Sequence, residues 1–332
     1  MTTHLSSVLA RSYGRGAFAI GRRFFDQSFL LDIVYMRHYL GVTMTLREAH
    51  AGIISDPARP AFVVAGGRVC GTEHVRTGRP CQDAFAWQRT DRCVLAVVCD
   101  GCGSGRHSEV GAQLGARLWT TVLARTVHDA GLADTVCADD LLSRLTTDIW
   151  PRTRTRVAAR LAELARDMGQ RVADVVIEHF LFTLVGALLT PEHTIIYSVG
   201  DGFYGVDDET HEIGPFADNR PPYLGYDVLE NRPVHPITVH ECRPTDAIHS
   251  IVLATDGISP LMAPGIPAHE GVGQFCAPRY VRNRDAIRRR LAVLNRDSTN
   301  VDWEAHRVAR RTGLFRDDVA VVTVLRQPGA SA

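Results

Sequence analysis

The chain is punctuated by short apolar runs that are too brief for helices and too continuous for strands with one wet face. They are Val94 to Cys99, Leu181 to Leu189, Thr194 to Val199, Ile251 to Thr255 and Val319 to Leu325, with Ala61 to Val64 as a further short strand. Their Val, Ile and Leu content predicts β-strands covered on both faces. LLTPEHTIIYSVG joins two of them through Thr190, Pro191, Glu192 and His193, a connection short enough to require antiparallel neighbours.

Helical spacing occupies the stretches between. Val110, Leu114, Leu118 and Val122 recur every four residues in a segment starting at Ser108, and this stripe is expected to face a core. A second pair of helices is expected over Asp139 to Trp150 and Arg152 to Met168, interrupted by Pro151, with Val157, Leu161, Leu164 and Met168 buried. Helices come in pairs after runs of strands, without regular alternation, so the fold class is α+β with packed sheets flanked by helices. The two prolines of ISDPARPAF mark a boundary. Residues 1–60, with a helix expected around Phe24 to Tyr39, form an N-terminal extension; 61–327 form the main domain and 328–332 a tail.

Arg plus Lys and Asp plus Glu are equal at 37 each, which removes the basic field that drives nucleic-acid binding. No apolar stretch is long enough to span a bilayer, since FLLDIVYM contains Asp32 and is followed by Arg37. The eight cysteines are scattered without a small-domain framework, as expected for reduced thiols in the cytoplasm. Cys99 and Cys102 form a single C-x-x-C with no second pair to complete a zinc site.

The apolar runs share an ending. VLAVVCDG, IVLATDG and YSVGDG finish in Asp100, Asp256 and Asp201, each followed by glycine, while FRDDVAVVTVL places Asp317 and Asp318 just before a strand. In antiparallel pairing the start of one strand lies beside the end of the next, so these acids can meet on one sheet edge, with Asp83 of CQDAF joining them. Buried like charges raise each other's pKa, and a cation relieves the conflict. All-oxygen ligands favour magnesium or manganese over zinc. One Asp-Gly after a strand is ordinary turn chemistry; the repeated pattern leaves turn and metal cavity both open.

GTEHVRTGRPCQDAF, VVCDGCGSGRHSEVGA, TLVGALL, YSVGDG, VLATDGI and RDDVAVVTV occur in an order and spacing that resembles the metal-dependent protein phosphatases (PPM, type 2C), most of all the bacterial branch with an Asp-Gly-x-Gly-Ser turn. The resemblance covers residues 61 to 327. It implies a sandwich of two antiparallel sheets flanked by helices, and hydrolysis of phosphoserine and phosphothreonine in proteins, opposing a serine/threonine kinase, by a metal-activated water. It implies two Mn2+ or Mg2+ ions, with a weaker third in some members. Asp100 then matches the bridging ligand and Gly101 a backbone carbonyl ligand. Asp256 and Asp317 match the remaining acids of the first metal, Asp83 an acid of the second, and Asp201 a ligand of the third.

Three positions depart from the family pattern. Gln82 stands where eukaryotic members have Glu. Cys102 stands where many have a His proposed as general acid. Gly78 stands where the phosphate-binding Arg is usual, leaving Arg79, Arg76 and His74 as candidate phosphate-binding cations, Arg79 favoured for its bidentate fork. These departures keep open a catalytically weak or inactive regulatory module on the same fold, and the shared site keeps open a hydrolase of small phosphorylated metabolites. The proline-rich stretch from Pro215 to Pro233 is expected to form a substrate-facing loop.

Overall fold

Burial on both faces of the apolar runs follows from their layering. The computed structural model describes residues 62–327 except 264, 267–269 and 305; the extension and the helix expected at Phe24 to Tyr39 lie outside these residues. Ten strands form two five-stranded antiparallel sheets. The first sheet has the order β1 (Phe62–Val69), β12 (Val319–Arg326), β9 (Ser250–Ala254), β6 (Gly202–Val206), β7 (Glu209–Ile213). The second has the order β2 (Ala84–Arg89), β3 (Val94–Cys99), β4 (Leu184–Leu189), β5 (His193–Val199), β8 (Thr238–Pro244). A separate hairpin pairs β10 (Ser298–Asp302) with β11 (Arg307–Arg311).

The period of two along each strand divides the core. Ala320, Val322 and Val324 of β12 point between the sheets, where they meet Ala96 and Val98 of β3 and Val185 and Ala187 of β4. Val319 and Val321 point the other way, onto Phe275, Ile287 and Leu291 beneath the helical layer. Both faces of β12 are therefore dry, which is why its sequence shows no alternation.

The helices are α1 (Thr72–Thr77), α2 (Ser108–Asp129), α3 (Ala138–Arg144), α4 (Trp150–Asp167), α5 (Val172–His179), α6 (Tyr226–Glu230), α7 (Pro278–Arg282) and α8 (Ala286–Leu294). The expected stripe on α2 is rotated: Val110 is exposed and Leu114 and Val122 only half-buried, with Leu118 alone of the four buried. The buried face is Gly111, Ala112, Gly115, Ala116, Trp119 and Leu123. Small residues win there because the helix lies close against its neighbours; a Cβ on Gly111 would stand 2.1 Å from the His179 carbonyl oxygen. Pro151 does not interrupt the next helical segment, which runs from α3 through a π-helical turn (Leu145–Ile149) into α4 with Pro151 in its first turn, where proline is tolerated. Val157, Leu161 and Leu164 are buried as expected, but Met168 caps the helix and is exposed. The strand expected from Leu181 begins at Leu184, because Leu181 and Phe182 turn aside to bond the loop after β3. No helix among the described residues is long and apolar enough to cross a membrane.

Candidate active site

Register brings the acids together. Ala84 pairs with Cys99, which sets Asp83 at the start of β2 beside Asp100 at the end of β3. In the other sheet Val321 pairs with Ala254, and Ala254 with Phe203, so Asp317, Asp256 and Asp201 collect where β12 starts, β9 ends and β6 starts. Asp201 sits on the two-residue step that carries the chain from β5 in one sheet to β6 in the other.

Backbone contacts explain the glycines that follow these acids. A Cβ on Gly101 would meet the Ser108 and Gln82 carbonyl oxygens at 2.7 and 2.9 Å, and one on Gly257 would sit 1.9 Å from the Asp318 carbonyl oxygen. Only a residue without a side chain lets these strand ends approach so closely.

The cluster runs from buried Asp83 through half-buried Asp100, Asp201 and Asp256 to exposed Asp317, and its charges repel one another. Burial, then the charges of Asp83, Asp256, Asp317 and Asp201, push Asp100 well above the usual carboxylate range. Burial and Asp318 push Asp83 up in the same direction, although the Thr255 hydroxyl donates to its Oδ2 at 2.5 Å. Thr255 is itself fixed by the Ala320 amide, which donates to its Oγ1 at 2.8 Å. Burial, Asp201 and Asp317 raise Asp256 to about 6. Burial raises Asp201, and its Oδ1 is buried with no hydrogen-bond partner. A buried carboxylate oxygen left unpaired is costly unless a cation completes it. The acids thus fit hard divalent ions. Cys70, His74 and Asp318 form the one set of three potential donors among the described residues whose ligand atoms all lie within 4.8 Å of one another.

Metal-free stability should record this repulsion. Asp256 holds its proton more tightly folded than unfolded, so its contribution is fully present below about pH 4 and is lost as pH rises through about 6. The size is on the order of 3 kcal/mol. Urea denaturation in chelator across that window should show wild type losing more stability than Asp256→Asn; parallel pH profiles would refute it.

The candidate cations have distinct places. The Arg79 guanidinium donates through Nη2 to the Gly103 and Gly105 carbonyl oxygens at 3.1 Å each, bracing the turn after Asp100. Arg76 is exposed and paired with Glu73. His74 is engaged by Asp318, with Nδ1 2.8 Å from Asp318 Oδ2. Gln82 is buried; its side-chain amide reaches the Gly105 carbonyl oxygen at 3.5 Å, where a glutamate would set a further buried charge against an acceptor. Burial raises the Cys102 thiol, but hydrogen bonds with Ser104 and Tyr223 outweigh it and leave the thiol below its ordinary pKa. Tyr223 belongs to the expected loop, which therefore does lie beside the turn.

Sequence reasoning set Asp318 beside the other acids at a strand start but gave it no ligand role. It is buried and accepts the Gly71 amide at Oδ1 (2.6 Å) and the Gln82 amide at Oδ2 (2.5 Å). The available signal was the doubled acid, since neighbouring residues at a strand start face opposite ways.

The model of the Protein phosphatase 2C family matches residues 70–295. The chain belongs to that family. Serine/threonine-protein phosphatase 3 of Escherichia coli (strain K12) is 29% identical to this protein phosphatase 2C family member over 144 residues, covering 41% of this chain and 50% of that protein. The chain thus spans about half the length of that relative. The serine-threonine phosphatase 2C structure from Toxoplasma gondii superimposes with a TM-score of 0.51 at 13% identity, covering 82% of this chain and 98% of that one. That likeness concerns the fold, and it agrees with the two antiparallel sheets and helices expected from the sequence.

Proposed function

We propose that the chain is a phosphoprotein phosphatase that hydrolyses phosphoserine and phosphothreonine at a site for two Mn2+ or Mg2+ ions, opposing a serine/threonine kinase. The observation that carries it is the convergence of Asp83, Asp100, Asp201, Asp256 and Asp317 at neighbouring strand ends, where burial and the nearby acids raise Asp83, Asp100 and Asp256, and Asp201 Oδ1 is left unpaired. The name of the Escherichia coli relative supports the substrate class.

In this reading Asp100 would be the ligand shared by the ions, the Gly101 carbonyl would add a ligand, and Asp256, Asp317, Asp83 and Asp201 would complete the set. Divalent ions held there supply water activation and electrostatic stabilisation of the phosphoryl oxygens. The chain's own residues prepare the setting. Thr255 and Arg68 hold Asp83, the first through its carboxylate and the second by donating to its carbonyl oxygen at 2.9 Å. Arg79, fixed on the turn, offers its remaining N–H groups to phosphate, as guanidinium geometry suits. Cys102 stands where many members carry the proposed general acid; in this reading water would protonate the departing serine or threonine oxygen, and the cysteines have no step to perform.

Purified protein should hydrolyse a phosphothreonine peptide only with manganese or magnesium, and chelator should abolish turnover. Metal binding without turnover would instead favour a regulatory module on the same fold, and turnover of small phosphorylated metabolites in preference to phosphopeptides would replace the substrate class.

A further inference from the structure

We propose that Cys70, His74 and Asp318 form a second metal site, selective for zinc-class ions and adjoining the acid cluster at Asp83. The donors reach one point from three elements. Cys70 directly follows β1, His74 lies in the short helix α1, and Asp318 directly precedes β12; the pairing of Val69 with Val319 sets the first and last side by side. The Cys70 sulfur, a His74 ring nitrogen and an Asp318 oxygen all lie within 4.8 Å of one another. Asp318 is 1% exposed and His74 12%, while Cys70 is half-buried, so the set is shielded on the Asp318 side and within reach of solvent at Cys70.

Zinc bonds of roughly 2.0–2.3 Å to N, O and S in tetrahedral geometry space their donors about 3.3–3.8 Å apart, a spacing these atoms reach by small adjustments. His74 Nδ1 and Asp318 Oδ2, now in contact at 2.8 Å, would separate slightly to admit the ion. Asp318 is already oriented by the Gly71 and Gln82 amides, and this outer support is what a ligating carboxylate requires. Solvent takes the fourth position.

Chemistry divides the two sites. The acid cluster is all oxygen and suits hard ions, whereas a thiolate with an imidazole selects zinc or cobalt over magnesium and manganese. Binding needs the thiolate, so the Cys70 proton is released to solvent as the metal–sulfur bond forms, against the burial and the Asp318 charge that push this thiol up to about 12. The consequence falls on the neighbouring acid. The Thr72 and Glu73 amides already donate to the Phe315 and Arg316 carbonyl oxygens at 3.0 and 3.1 Å. An ion tying Cys70 and His74 to Asp318 would add a second clasp to the peptide that carries Asp317.

Cobalt(II) added to the metal-depleted full chain tests this, because thiolate-to-cobalt charge transfer absorbs in the near ultraviolet and oxygen ligands give no such band. The expected result is one equivalent of thiolate-bound cobalt, lost in Cys70→Ala and in His74→Ala and retained in Asp100→Asn. Zinc should also raise the thermal midpoint by about 5 °C at a hundredfold excess over Kd, and Cys70→Ser should lose most of that rise. No thiolate band in natively folded protein, or a band that survives Cys70→Ala, overturns the site. The readout requires no turnover, so it fails or succeeds independently of the phosphatase reading.

Discussion

Asp100→Asn is expected to lower manganese-dependent phosphopeptide hydrolysis by more than about 100-fold, because outer-shell partners of a metal already cost about 10–100-fold when lost and Asp100 is read as the ligand shared by both ions. The same substitution should make the metal-free protein more stable. Burial and four neighbouring aspartates disfavour the charge on Asp100, and asparagine keeps the shape while removing it. Activity and stability should thus move in opposite directions, which a general packing defect cannot produce. Two measurements check it: kcat/KM on a phosphothreonine peptide with manganese, and urea midpoints in chelator. Undiminished turnover would remove Asp100 from the chemistry, and a destabilised metal-free variant would show that its carboxylate serves the fold instead.

The strands were the legible part of this chain because burial on both faces leaves a signature in consecutive residues. Val94 to Cys99 was read at its observed bounds, and the hairpin between β4 and β5 followed from a four-residue connection. The edge strands β7 and β8 carry polar, half-wet faces that no apolar run announces. Helix α2 was assigned correctly but turned wrongly, since hydropathy rewards Val110 and Val122 while the packing rewards the glycines that let Phe182 approach; a Cβ on Gly115 would lie 2.3 Å from that ring. Sequence patterns register apolar area, and they miss contacts made possible by a missing side chain.

At the site the same contrast holds. Asp100, Asp201 and Asp256 advertise themselves by ending apolar runs, so their grouping could be expected from antiparallel register. The cations could not be sorted in this way. Arg76, Arg79 and His74 lie within six residues on one short helix and its exit, and only the backbone at Gly78, left-handed with φ 71°, sends Arg79 back towards the turn while leaving Arg76 in solvent. Asp318 and Thr255 act on other protein groups, through long-range hydrogen bonds that carry no local sequence signature.

Arg154→Ala is expected to cost about 3–5 kcal/mol, the range for removing one partner of a buried ion pair. Arg154 and Asp227 are both buried, and the guanidinium meets the carboxylate with two bonds of 2.6 Å while a further N–H reaches the His235 carbonyl oxygen. Asp227 also accepts the Val234 amide at 3.0 Å, so the pair pins residues 226–235 to α4. Just before this clamp, the Leu224 amide donates to the Phe182 carbonyl oxygen at 3.0 Å, and Phe182 bridges to Gly101. Alanine would leave a buried carboxylate without its counter-charge, whereas Arg154→Met with Asp227→Leu removes both charges and should recover most of the loss. Denaturant midpoints compare the three proteins, and amide exchange at Leu224 and Val234 shows whether the loop over the Asp100 turn loosens with the pair. A cost below about 1 kcal/mol, the level of an exposed ion pair, would mean that water reaches this contact and that the loop is held by its packing on Phe180 and Phe182 instead.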